Sequence, residues 1–165
     1  MSNLSKVSVG AIEKFGENLK LVRSTSGFIR LRVTRESGTI EEMETGWFNF
    51  YIESLRTVVE AYFGEDTGHR VPAVMLLANR KLEQKTYDIK IPFSDDWEVC
   101  AIFGVGKPNG GIGGDAFGKG MLDVHDIVDD DSKQRIEGSF SFQYVDAGGE
   151  LVKVEANDFW AEFKY

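Results

Sequence analysis

The chain has 165 residues, 42% of them hydrophobic and 28% charged, which is the composition of one globular domain spanning 1–165 that can build a core without staples. Its net charge of −8 is concentrated in residues 83–165, which carry 17 acidic and 8 basic side chains. That balance argues against a nucleic-acid binder, which needs Lys and Arg to neutralise phosphates. No apolar run approaches the roughly 20 residues of a membrane-spanning helix, and a lone cysteine, Cys100, excludes an internal disulfide.

The opening stretch, MSNLSKVSVGAIEKFGENLK, has no apolar core, cleavage site or lipid-attachment cysteine. As written it fits a cytoplasmic protein, one secreted by a route without a cleaved signal, or a chain that begins after processing. GFIRLRVTRESG (27–38) alternates as a strand, with Ile29, Leu31 and Val33 inward and Arg30, Arg32 and Thr34 outward. Residues 49–63 have helical spacing instead: Ile52, Leu55, Val58, Val59 and Tyr62 share one face, with Asn49 as the cap and Gly64 as the stop. VPAVMLLA (71–78) reads as a buried strand with Pro72 near its start.

Residues 85–93 alternate through Tyr87, Ile89 and Ile91, and WEVCAIFGV (97–105) suits a central strand that buries an inert Cys100. GMLDVHDIV (120–128) breaks its period near Asp126, which predicts a bulge or an edge position. RIEGSFSFQYV (135–145) alternates cleanly, DAGGE (146–150) is a hairpin turn, and 151–165 alternates on both sides of a turn-like Ala156-Asn157-Asp158. Short strands at regular spacing, plus the one helix, predict a mainly antiparallel β-sandwich with an amphipathic helix over 49–63.

GGDAFGKG (113–120) satisfies the G-x-x-x-x-G-K part of a phosphate loop. Such a loop also needs Ser or Thr after the lysine, a strand directly before it and a helix directly after it. Here Gly120 follows the lysine, Pro108-Asn109-Gly110-Gly111 precedes the motif, and β-type sequence comes next. The glycines are read as a connection between strands, and a nucleotide partner is not expected.

The stretches KTYDI (85–89), GKGMLDVHDI (118–127), RIEGSFSF (135–142) and VKVEANDFWAEFKY (152–165) resemble, in order and form, a family of small bacterial β-sandwich proteins. Many of those are lipoproteins, and no function is assigned to them. The likeness covers about half the chain and rests on structural residues. It implies the fold rather than an activity. This sequence departs from the family in lacking the lipoprotein signal and in carrying Asn157-Asp158 where the family often has a glycine.

Asp115, Asp123, Asp126, Asp129, Asp130 and Asp131 are the candidate ligands for Ca²⁺, which takes six to eight oxygens, although EF-hand spacing is absent. The bland reading is a solvated turn. His69 and His125 have no partner at metal-ligand spacing. His125 near Asp123 raises a His–Asp pair, but Ser139 and Ser141 lie in an alternating strand rather than a nucleophile elbow. Arg30 and Arg32, with Lys20, Arg23 and Arg35 nearby, make a basic stripe for an anionic partner, or else pair with Glu41, Glu42 or Glu44. Most aromatics are read as core; if the segments holding Trp47-Phe48 and Phe159-Trp160 are strands, adjacent rings fall on opposite faces and at least one ring of each pair is exposed.

The expected function is therefore a non-catalytic binding or interaction module with Trp47, Trp160, Arg30 and Arg32 as contact residues. No cofactor is required other than the candidate Ca²⁺. The partner is a protein, a glycan or a membrane surface. The alternatives are a membrane-active or toxin-like β protein and a hydrolase that uses carboxylates or His125.

Overall fold

The structure, a computed structural model, describes residues 7–8, 11–12, 21–22 and 24–165. Among them are fourteen strands and no helix. Strands β1 (Val7–Ser8), β2 (Ala11–Ile12) and β3 (Leu21–Val22) pair antiparallel as a small sheet of their own. The other eleven form one sheet: β4 (Ser24–Arg35), β5 (Ile40–Thr45), β6 (Phe48–Glu53), β7 (Arg56–Tyr62), β8 (Val71–Ala78), β9 (Thr86–Ile89), β10 (Val99–Lys107), β11 (Gly111–Gly113), β12 (Lys119–Asp129), β13 (Lys133–Val145) and β14 (Leu151–Lys164).

The strand order is β5-β4-β14-β13-β12-β9-β10-β8-β7-β6, with β11 added beside β10. All neighbours are antiparallel except β9 and β10, so the sheet is mixed. The sheet curls into a nearly closed barrel. Its two end strands, β5 and β6, follow each other in sequence, and β6 lies against β4 and β14. Three side-chain contacts bridge the gap that backbone pairing leaves. Gly27 of β4 has no Cβ, and one built there would run into the Phe48 ring 2.7 Å away. The rings of Phe50 and Phe163 sit 6.1 Å apart. Finally, the buried amide of Gln134 accepts from Ile52 N–H at 2.7 Å and donates to Ile52 C=O at 2.8 Å, taking the place of a strand neighbour.

The mainly-β expectation agrees with this architecture. The sandwich and the helix do not. One curled sheet replaces two stacked ones, because alternating strands read the same in a sandwich and in a barrel. Residues 49–63 form the β6–β7 hairpin, with Leu55 79% exposed near its tip. Phe48, Phe50 and Ile52 face inward and pair with Ala61, Val59 and Thr57. Val58 and Tyr62 point to the other face and are buried as well. Burial on both faces of β7 erases the period of two, leaving apolar spacing that imitates a helix. The run Thr57-Val58-Val59 is the better guide, since β-branched residues favour strands.

The interior is filled by Phe50, Phe142, Phe159, Phe163, Tyr87, Leu122 and their neighbours, all nearly inaccessible. Cys100 faces away from that cluster yet is fully buried. Burial pushes its thiol up to about 11. The thiolate is disfavoured in the fold, so this contribution to stability is complete below the unfolded thiol pKa and is lost as pH rises through about 11. Native protein at pH 8 is expected to react with DTNB only after urea unfolds it. Prompt reaction without urea would contradict the burial.

Candidate functional site

The site begins with a break in β14. Its pairing with β4 runs from Lys164↔Ser24 to Phe159↔Ile29 and resumes at Glu155↔Arg32. Three residues of β14, 156–158, therefore face two of β4, and the partner β13 shows the matching shift between Gly138 and Phe140. Val152, Val154 and Ala156 point inward before the bulge, and Phe159, Ala161 and Phe163 point inward after it. Asn157 and Asp158 absorb the extra residue and lie exposed on the outer face. The predicted turn at this point is thus a bulge inside one continuous strand. A bulge bends its strand and re-aims side chains.

Over the bulge lies a groove of about 510 Å³. Trp160 and Phe28, directly paired across β14 and β4, form one end. Arg32, Glu42 and Glu155 form the other, and Arg30, Asn157 and Asp158 lie between. The guanidinium of Arg30 donates to Glu44 at 3.0 Å and that of Arg32 to Glu42 at 2.9 Å, so the cross-strand pairing weighed for these arginines is present. These ion pairs are exposed and contribute little stability. Arg135 stands 4.7 Å from the centre of the Trp160 ring and pairs with Glu137 and Glu162. That cation meets the indole from the neighbouring strand β13.

The structure thus gathers Trp160, Arg30 and Arg32 in one place. Trp47 is elsewhere, half-buried 5.2 Å from the ring of Tyr62. In each aromatic pair the phenylalanine, Phe48 or Phe159, is buried, and its tryptophan neighbour is half-buried rather than exposed. Lys20, Arg23 and most of the N-terminal stretch read as leaderless lie outside the described residues. The sequence reading did not assign Phe28, Glu155, Asn157 or Asp158 as contact residues. The one available signal was the broken alternation at 156–158.

The six aspartates do not converge. Asp115 accepts from Ala147 N–H, and Asp123 accepts from Thr86 Oγ1. Asp129 takes Lys81 at 2.8 Å and the Gln134 amide at 2.9 Å, and the Lys81 ammonium holds its carboxyl below the usual range. Asp130 accepts from both the backbone and hydroxyl of Ser132 and from Lys133 N–H, closing the β12–β13 turn. Asp126 and Asp131 are exposed. Among the described residues no three acids, histidines or cysteines stand together in a way that would hold a metal.

His125 sits where β12 shifts register between Val124 and Asp126, the bulge its broken period predicts. Its Nε2 lies 3.4 Å from Ser139 Oγ and 3.4 Å from Asp123 Oδ2. Both partners approach the same nitrogen, whereas a triad needs the carboxylate on the other one to orient the ring. The arrangement is a surface contact rather than an activated nucleophile.

The glycine-rich stretch forms a hairpin. β11 pairs with β10 through Val105↔Gly113 and Lys107↔Gly111, and Asn109 and Gly111 turn the chain with φ of 65° and 74°. Strand β12 begins at Lys119, where a phosphate loop would start a helix. A smaller cavity of about 350 Å³ opens at this end of the barrel between Arg35, Phe103, Gly114 and Tyr144. At another exposed position, Phe93 stands 90% exposed with a left-handed φ of 67°.

No family model matches the chain, and no curated protein matches it. Among solved structures, a redesigned β-barrel matches with 12% identity and a TM-score of 0.33, covering 79% of this chain and 88% of its own. Likeness at that level carries no argument about function. No helix among the described residues is long and apolar enough to cross a membrane.

Proposed function

We propose that the chain is a non-catalytic binding module whose contact surface is the groove over the β14 bulge. One observation carries this reading: the bulge brings the rings of Trp160 and Phe28 and the guanidinium groups of Arg30 and Arg32 around two exposed polar residues, Asn157 and Asp158. Binding sites combine apolar area with a few placed polar groups, and this groove has both. The ion pairs to Glu42 and Glu44 place both guanidinium groups along the groove. The non-catalytic part of the reading is supported by the shared nitrogen at His125, where acid, imidazole and hydroxyl meet.

The test is thermal unfolding against a panel of neutral hexasaccharides, ATP, Ca²⁺ followed by EDTA, and phosphatidylglycerol vesicles. A ligand that binds only the folded state raises the melting temperature by mass action. At least one compound is expected to do so for the wild type and to lose its effect in Trp160→Ala. A compound whose shift survives Trp160→Ala and Asp158→Ala would place binding elsewhere on the molecule.

A further inference from the structure

We infer that the groove over the β14 bulge takes a neutral carbohydrate chain, an assignment that rests on the groove being the binding surface.

Charge makes the first selection. The groove's own ionised side chains are the two guanidinium groups of Arg30 and Arg32 against the three carboxylates of Glu42, Glu155 and Asp158. Both arginines are already held by acids, at 3.0 and 2.9 Å. An anionic ligand therefore meets cations whose charge is already matched and carboxylates that repel it, although each guanidinium has more N–H donors than one ion pair uses. Phosphates, nucleotides and acidic headgroups are poor occupants.

Hydrogen-bond inventory makes the second. Arg30, Arg32 and the Asn157 amide supply donors, while Glu155, Asp158 and the Asn157 carbonyl supply acceptors, within one groove. A row of hydroxyl groups, each both donor and acceptor, can use all of them. Planar side chains such as guanidinium, carboxylate and carboxamide can each engage two adjacent oxygens.

The rings make the third. Arg135 lies against the Trp160 ring at 4.7 Å, and the same indole lines the groove. The neighbouring Phe28 ring is 39% exposed. The C–H face of a pyranose needs such a flat apolar surface, and aromatic side chains supply it with little conformational entropy to lose. The volume of about 510 Å³ fits a short segment of chain and is far larger than a single ion requires.

Isothermal titration with cellohexaose, maltohexaose and chitohexaose tests the assignment, with a polygalacturonate oligomer as the acidic arm. At least one neutral hexasaccharide is expected to bind. Trp160→Ala should weaken it by about tenfold or more, as expected for an aromatic anchor. Asp158→Ala, an exposed change that leaves the packing alone, should weaken it too. Trp97→Ala, at a ring that packs on Phe93 instead, should leave it unchanged. Tight binding of the acidic oligomer alone, or no binding of any neutral one, overturns the carbohydrate assignment. The groove itself would still stand if another ligand proves sensitive to Trp160→Ala. Neutral sugar binding that ignores both Trp160→Ala and Asp158→Ala overturns the groove as the surface.

Discussion

Gln134→Leu is expected to lower folding stability by about 3 kcal/mol, read as a fall in the urea midpoint with an unchanged slope. Gln134 is 3% exposed and its amide does three things at once. It accepts from Ile52 N–H, donates to Ile52 C=O and donates to Asp129 Oδ1. Leucine matches the size but satisfies none of these groups, and each buried polar group left without a partner costs about 1–3 kcal/mol. The loss falls at the place where the barrel lacks a backbone ladder, because β6 ends the strand order. Hydrogen exchange at the Ile52 amide should therefore accelerate more than exchange in β13. Gln143→Leu, further along β13 and exposed, is the control and should change little. A loss under about 1 kcal/mol for Gln134→Leu would mean that the seam closes by apolar packing alone.

Gly104→Ala is the second large effect, with an expected loss of about 1–3 kcal/mol or more from overpacking. A Cβ on residue 104 would collide with the Gly113 carbonyl oxygen and stand 2.7 Å from Gly114 Cα. Both obstacles are backbone, so no side chain can rotate away. The glycine-rich stretch is thus explained by close passage of β11 and its continuation across β10. Thermal unfolding checks the claim, and an unchanged melting temperature would show that the β11 segment is not held against β10. Trimming β11 away from β10 should also open the nearby cavity between Phe103 and Tyr144.

Where one face of a strand is buried and the other is wet, the pattern was legible. Ile29, Leu31 and Val33 alternate with Arg30, Arg32 and Thr34 as expected, and Ile136 through Tyr144 do the same. The reading failed where that contrast disappears. β7 is buried on both sides, so its apolar residues imitate a helix. Closure was hidden for a different reason. The approach of Ile52 to Gln134 joins residues far apart in sequence, and no local period records it. The groove was half legible: Trp160, Arg30 and Arg32 were singled out by type, but Phe28 looked like one more strand residue. The bulge that brings them together appeared only as a lapse in alternation at Asn157 and Asp158.

The pH dependence of stability follows from the same seam. Lys81, and after it the Gln134 amide, hold the Asp129 carboxyl below its usual range. Its contribution is present above the ordinary carboxylate pKa and is lost as pH falls through the lowered folded value. In Gln134→Leu this acid sensitivity should shrink, since one of the groups that favours the ionised carboxyl has gone.

The chain has three tryptophans, each marking a different face: Trp160 in the groove, Trp47 against Tyr62 and Trp97 against Phe93. Their indole N–H resonances, followed by NMR while cellohexaose, maltohexaose or chitohexaose is added, report directly on which face is used. The account predicts that the Trp160 signal moves and saturates while those of Trp47 and Trp97 stay in place. Saturable movement of Trp47 or Trp97 with Trp160 unmoved would contradict it.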